Sequence, residues 1–352
     1  MRHLRYILSW LYGSVVAVRN LLYDRHILKS YSVDIPTISV GNLAVGGTGK
    51  TPHTIYIANM LSGRGLNVAV LLRGYKRHTR GFVLATEWST AGEIGDEAKL
   101  ISLRCPRVKV AVCADRIEGI RRLCELSRNL DVVVLDDCMQ YRRLRVGLSL
   151  LLTAADNLYC SDHYLPYGQL RDLHSRDKSA DMVIVSGMPY NCAPKEKQAL
   201  LQPLNERLGS LSRVFTSEIK YLPLQPLWSD CRVSQTAVEN NKVVILTAIA
   251  RPETMVKKLR EQYPKAVHVQ FADHHEFSEN DFRKLDGADM VITTEKDAMR
   301  LKDNPNYPEQ LKCRTFMQPI NVGIQEDKKE MFNQIIYSYV TENNSDRRLS
   351  AR

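Results

Sequence analysis

The chain has 352 residues, 44% hydrophobic and 25% charged, with a formal net charge of +10. This length suggests two domains, and the composition excludes a fibrous or low-complexity chain. The positive balance favours an anionic partner: nucleic acid, anionic lipid or a phosphorylated substrate. The eight cysteines have no C-x-x-C spacing, which argues against zinc and a disulfide framework and for buried free thiols in a reducing compartment.

The first segment, MRHLRYILSWLYGSVVAVRNLLYDRHILKS, carries five Lys/Arg against one acid, Asp24. Its uncharged run, Tyr6 to Val18, is 13 residues, short of the ~20 needed to span a bilayer. Tyr6, Trp10 and Tyr12 suit the headgroup level. A secretory signal peptide shares the basic start and apolar stretch, but would carry the nucleotide motif described next to a place without ATP. A helix packed on the protein's own core is a second reading. The preferred one is an interfacial helix over residues 1–30 on an anionic membrane surface.

The stretch VGNLAVGGTGKTP, residues 40–52, follows an apolar run and precedes HTIYIANML. The backbone from Ala44 and Val45 through Gly46, Gly47, Thr48 and Gly49 can curl with its N–H groups inward and cradle phosphates at a helix start. Lys50 supplies a charge for the β/γ-phosphates, and the Thr51 hydroxyl can ligate Mg²⁺. Ala44 stands where the usual pattern has glycine. ATP and Mg²⁺ are the expected cofactors.

Beyond residue 30 the runs TISV, NVAVLL, VKVAV, DVVVLD, LSLLLT and DMVIVS alternate with helical stretches. The alternation predicts an α/β fold, a phosphate-loop NTPase-like parallel sheet over residues 31–220. Residues 221–237 hold two prolines and no helical period, and read as a linker. KVVILTA, AVHVQF and DMVITT then predict a smaller α/β lobe over 238–325. Residues 326–352 hold one more helix and a tail, SDRRLSAR, expected to be disordered.

LLRGYKRHTRG and YRRLR place basic residues at strand ends on the ligand side. Phosphate or headgroup contact competes there with a merely solvated face. Neither cluster has the interleaved aromatics of a single-strand nucleic-acid groove, so no nucleic acid is expected. In EIGDEAKL, Asp96 and Glu97 open a helix, where they suit capping, metal ligation or general-base work. DVVVLDD delivers Asp136 and Asp137 to a strand end. One of the two suits the Mg²⁺ opposite Thr51, and the other a turn. FADHHEF offers His274 and His275, whose adjacent imidazoles point apart. A histidine brought against Asp96 by lobe closure would form an acid/base pair.

Two functions fit these features: a phosphotransferase acting on an anionic substrate at a membrane, and a membrane-attached switch ATPase acting through a protein partner. Switch ATPases with a similar glycine pattern carry a lysine just before the paired glycines, where this chain has Val45. TEKD at 294–297 also lacks the order of a guanine-specificity motif. The kinase reading gains.

The motifs VGNLAVGGTGKTP, LLRGY, GDEAKL, VVVLDDCMQYRRL, LPYGQLRD, TAIARPETM, FADHHEF and TEKDAMRL together resemble the tetraacyldisaccharide 4'-kinase family of lipid A biosynthesis. The resemblance implies ATP-dependent phosphorylation of the 4'-hydroxyl of a tetraacylated glucosamine disaccharide 1-phosphate. It places the enzyme peripherally on the cytoplasmic face of a Gram-negative inner membrane, with Mg²⁺ and no protein partner. It also implies that Asp96 is the catalytic base, His274 its partner and Lys50 the phosphate ligand, with Thr51, Glu97 and one of Asp136 and Asp137 holding the metal. Arg73, Tyr75 and Arg171 are candidate substrate contacts. Ala44 matches the family. Tyr141 stands where the family has histidine, and Ala98 where it tends to have proline.

Overall fold

The computed structural model describes residues 2–189, 191–228 and 242–350. In chain order, α1 (Arg2–Asp24) and β1 (Thr37–Asn42) lead into α2 (Lys50–Gly63), β2 (Val68–Leu72) and β3 (Val83–Leu84). Then come α3 (Ala91–Ile94), α4 (Asp96–Arg104), β4 (Lys109–Val112), α5 (Arg116–Leu126), β5 (Val132–Asp136), β6 (Leu148–Ala154) and β7 (Met182–Ser186). After α6 (Pro194–Leu208) and β8 (Val214–Tyr221), a second set runs β9 (Gln225–Pro226), β10 (Val243–Thr247), α7 (Glu253–Gln262), β11 (Val267–Gln270), α8 (Glu279–Phe282) and β12 (Met290–Thr294). It continues through α9 (Glu295–Lys302), α10 (Glu309–Lys312) and β13 (Thr315–Gln318), and the chain ends with β14 (Ile320–Ile324) and α11 (Glu326–Ser350).

The larger sheet has the order β14-β8-β7-β6-β1-β5-β2-β4-β3 among the described residues. Its interior pairs are parallel, with β3 and β14 antiparallel at the edges. The strands β2, β5 and β7 are buried at every position, as continuous Val/Ile/Leu runs covered on both faces should be. Local chemistry starts the helices: Asp115 caps α5 by accepting from the Ile117 and Glu118 N–H groups. The smaller sheet has the order β11-β10-β12-β13-β9.

The two sheets are joined by strands that sequence patterning did not resolve. β14, expected within residues 238–325, pairs with β8 in the larger sheet, while β9, within the expected linker, pairs with β13 in the smaller one. Both are edge strands with incomplete burial and weak alternation. The rest of the expected linker, 229–237, lies outside the described residues. The lobes also share a core. Ile94, Ala98 and Ile101 from α3 and α4 belong to one apolar cluster with Ala298, Met299 and Leu301 of α9.

Two expectations fail. Of the tail expected to be disordered, residues 345–350 continue α11, and residues 351–352 lie outside the described residues. Six cysteines among the described residues are free thiols, but Cys313 is disulfide-bonded. Sequence spacing cannot exclude such a bridge, because pairing depends on where the fold brings two Cα atoms.

α1 lies on the larger lobe with unusual polarity. Its docked face is Ser9, Gly13, Val16 and Asn20. Ser9 Oγ donates to the Tyr164 carbonyl at 2.7 Å, and Asn20 Nδ2 to Asp172 Oδ1 at 2.8 Å. Gly13 is required for this approach, since a Cβ there would stand 2.8 Å from the Tyr164 ring. Leu4, Ile7, Trp10, Leu11, Val15 and Val18 face outward, each more than half exposed. Among the described residues, no helix is long and apolar enough to cross a membrane.

Candidate active site

A cleft of about 2420 Å³ opens between the lobes. Its walls are the segments that follow the carboxyl ends of β1, β2 and β5 in one sheet and of β10, β11 and β12 in the other. Crevices beyond strand carboxyl ends are where open α/β sheets bind ligands.

The phosphate loop fills the β1–α2 turn. Gly49 sits at φ 81°, and a Cβ there would meet Ser186 Oγ at 2.7 Å, so only glycine fits. Asn42 Nδ2 donates to Thr48 Oγ1 at 2.7 Å, and the Val45 N–H donates to the Gln169 carbonyl at 2.8 Å. His53 is buried beneath the loop, with Nδ1 2.7 Å from the Gly49 carbonyl and Nε2 2.9 Å from Ser217 Oγ. Burial pushes its pKa down to about 4. Ala250 and Arg251 of the second lobe lie over Gly46 and Gly47, and Arg251 pairs with Asp156 at 2.7 Å and Gln169 at 2.8 Å.

Asp136 and Asp137 separate clearly. Asp136 is buried, with Thr54 Oγ1 donating to it at 3.1 Å and Thr51 Oγ1 3.5 Å away. Burial and the neighbouring Glu97 push its carboxyl up to about 7, against the pull of Lys50. Asp137 is instead engaged by cations. Arg171 grips it through two nitrogens and Lys50 Nζ lies 3.8 Å away. Burial works to raise its pKa, but these charges hold it below the usual carboxylate range. The Arg171 guanidinium also reaches Asn42, so the residue expected at the substrate is committed to bracing Asp137 and the phosphate loop.

This donor set fits Mg²⁺. No cluster of three or more His, Cys, Asp and Glu ligands occurs among the described residues, but a nucleotide-bound Mg²⁺ takes only one or two protein ligands and completes its shell with phosphate oxygens and water. Asp136, buried beside other carboxylates, is the position a divalent cation would relieve.

On the opposite wall, Asp96 is the first residue of α4, with Gly95 as N-cap. Its Oδ1 accepts the Glu97 N–H at 2.8 Å. Its buried Oδ2 lies 3.0 Å from His274 Nδ1 and 3.2 Å from an Arg300 nitrogen. Burial works to raise the Asp96 pKa, and His274, Lys296 and Arg300 overcome it, leaving the carboxyl below its ordinary value. Lys296 Nζ lies 2.8 Å from His274 Nε2, 3.2 Å from Glu97 Oε1 and 3.5 Å from Asp273 Oδ1. Burial opposes the charge on Lys296, but the carboxylates Glu97, Asp96 and Asp273 raise its pKa. The Tyr75 ring meets His274 edge-on at 5.0 Å, and Arg73 lines the same cleft.

The structure thus brings Asp96, Glu97 and His274 together across the lobes. His275 turns away, stacking on Phe271 at 4.5 Å and bonding Asp281 at 3.0 Å. Tyr141 bonds Asp115 at 2.8 Å. Lys296 and Arg300 were not foreseen, although their i, i+4 spacing on α9 puts both on one helix face. α4 and α9 meet through three cross-lobe charge pairs: Asp96–Arg300, Glu97–Lys296 and Arg104–Glu295.

Comparison with known proteins agrees with this geometry. The family model described as tetraacyldisaccharide-1-P 4'-kinase matches residues 1–339. The tetraacyldisaccharide 4'-kinase of Bacteroides thetaiotaomicron is 39% identical over 365 residues, covering 99% of this chain and 95% of that protein. The enzyme of the same name from Flavobacterium johnsoniae is 36% identical, covering 97% of this chain and 98% of that one. A crystal structure of LpxK from Aquifex aeolicus in complex with ATP superposes with a TM-score of 0.72 at 27% identity, covering 96% of this chain and 99% of that one. This chain belongs to the tetraacyldisaccharide-1-phosphate 4'-kinase family.

Proposed function

We propose that this chain moves the γ-phosphoryl group of ATP onto the 4'-hydroxyl of a tetraacylated glucosamine disaccharide 1-phosphate, at the cytoplasmic face of a bacterial inner membrane. One observation carries the reading: a single cleft has a phosphate loop on one wall and a carboxylate–imidazole pair on the other.

Inward N–H groups of the Gly46–Thr51 turn would hold the triphosphate, the Val45 N–H staying on the Gln169 carbonyl, and Lys50 would meet the β/γ-phosphates. Thr51 and Asp136 would hold Mg²⁺, with Glu97 in the same charge cluster. The ion, when bound, neutralises charge on the phosphoryl oxygens. Asp137, gripped by Arg171, positions Lys50. The sugar O4' bonds to the γ-phosphorus as the bridging β–γ P–O bond breaks, ADP leaves, and the hydroxyl proton passes to Asp96. A carboxylate of lowered pKa is a weak base, but a loose transition state demands little proton removal until late and depends mainly on positioning. Arg73 and Tyr75 line the side on which the sugar enters.

An acylated substrate stays in the bilayer, so the enzyme must meet it at the interface. α1 supports that contact with an apolar face turned outward and a polar face docked on the lobe. The test is to incubate purified protein with labelled ATP and vesicles holding the acylated disaccharide 1-phosphate. A new lipid phosphate is the expected result. ATP hydrolysis without lipid phosphate, stimulated by a protein partner, would return the switch ATPase reading.

A further inference from the structure

Lys296 stands where the lobes meet, and its three acceptors match the three donors of an ammonium: His274 Nε2 at 2.8 Å, Glu97 Oε1 at 3.2 Å and Asp273 Oδ1 at 3.5 Å. An ammonium can only donate, so Nε2 accepts. A neutral imidazole whose Nε2 accepts carries its hydrogen on Nδ1, and Nδ1 faces Asp96 Oδ2 at 3.0 Å. The histidine is held on its other sides as well. Its N–H donates to the Ala248 carbonyl at 3.1 Å, and its carbonyl accepts from Lys76 Nζ at 3.0 Å.

We propose that Lys296 is a positioning residue that fixes the Nδ1–H tautomer of His274 and so aims that hydrogen at Asp96, the proton acceptor of the reading above. With Nε2 tied to the ammonium, the imidazole offers no free lone pair to an incoming hydroxyl. Asp96 takes the Nδ1–H on Oδ2, beside Arg300, and the Glu97 N–H on Oδ1, and a carboxylate with about four lone-pair sites retains one for that proton. Because Lys296 and His274 ride on one lobe and Asp96 and Glu97 on the other, the arrangement exists only while α9 lies against α4. The assignment of roles deepens the kinase reading above and rests on it.

The test uses the full-length chain with ¹⁵N-labelled histidine, the His274 ring signals being identified by their loss in His274→Asn. The expected spectrum has a protonated Nδ1 and a bare Nε2. In Lys296→Met the ring should move to the Nε2–H tautomer or a mixture. Its kcat should fall about 10²–10⁴-fold, the range seen when a base loses its partner or its tautomer, with KM for ATP held. Lys296→Arg, still a donor, should keep the tautomer and recover part of the rate. A wild-type ring already protonated at Nε2 overturns the proposal, as does a Met variant whose rate falls with the tautomer unmoved. Should the Met variant fail to fold, the wild-type and Arg spectra decide. The spectrum needs no turnover, so failure of the lipid assay would remove the kinase reading while leaving the tautomer assignment to stand or fall by itself.

Discussion

The two walls of the cleft are built in opposite ways. The phosphate wall is one contiguous loop, held by contacts as short-range as Asn42 to Thr48 and shaped by a glycine at positive φ. The acceptor wall is assembled from parts far apart in the chain; Lys296 and Glu97 are separated by 199 residues. A preformed loop presents backbone dipoles whether or not the lobes are closed. A cross-lobe charge cluster exists only when α4 and α9 are docked. The first wall should therefore fail one residue at a time, and the second as a unit.

The largest expected effect tests the first wall. Lys50→Ala leaves the loop backbone untouched and removes one charge facing the transferring phosphoryl, an expected loss of roughly 10³–10⁵ in kcat, by analogy with what an arginine finger contributes to phosphoryl transfer. Retention of more than a small residue of lipid phosphorylation, with circular dichroism unchanged, would sink the assignment of this loop.

The second wall is tested by Asp96→Asn, His274→Ala and their combination. Each single change should cost about 10²–10⁴ in kcat. The double variant should be scarcely slower than either, because the two act as one group. Multiplicative losses would show two independent residues, and the comparison between the walls would collapse.

The same contrast explains what could be read in advance. The strand–loop–helix around Gly49 is legible because its function is local and its spacing is the signal. The parallel sheet is legible from buried apolar runs such as Val132–Asp136. Asp96 and a histidine against it are legible as candidates, but the choice of His274 over His275 comes from the family resemblance, since neither GDE nor DHH has ligand spacing of its own. Lys296 and Arg300 are not legible, because a lysine and an arginine at i, i+4 look like any solvated helix face until the partner helix is in place. The choice between Asp136 and Asp137 was equally hidden: it depends on Arg171, which the chain order keeps 34 residues from Asp137.

A smaller effect comes from outside the cleft. Changing Ile7, Trp10 and Leu11 together to serine should leave the docked face of α1 intact while removing its outward apolar surface. Burial of such side chains contributes about 1.5–3 kcal/mol each when complete, so sedimentation with anionic vesicles should fall by roughly an order of magnitude or more. Turnover of bilayer substrate should fall with it, and detergent-dispersed substrate should restore much of the rate. In the unmodified protein, five basic residues against one acid in the first 30 add about 1 kcal/mol each near an anionic surface. That part is screened by salt, so binding should weaken at high ionic strength without vanishing. Unchanged sedimentation of the triple variant would move the membrane contact elsewhere.

The smallest effect sharpens the comparison, because His53 is where the local wall touches the rest of the fold. Its ring links the Gly49 carbonyl to Ser217 on β8, the strand that leads toward the second lobe. Burial lowers its pKa from 6.5 to about 4, so it is neutral in the folded protein over a range where the unfolded chain takes up a proton. The unfolded state then binds more protons, and stability rises with pH across that window. The contribution is fully present above pH 6.5 and is lost as pH falls toward 4, by on the order of 3 kcal/mol at one pKa unit per 1.36 kcal/mol. Urea midpoints measured without nucleotide at several pH values should show this slope in the wild type, and a shallower one in His53→Gln, which keeps a donor and an acceptor but does not titrate. The variant should also raise KM for ATP more than it lowers kcat, because the Gly49 carbonyl loses a fixed partner while the acceptor wall is untouched. Equal slopes in the two proteins would mean that the acid sensitivity arises elsewhere, and that the loop holds its shape without the link to β8.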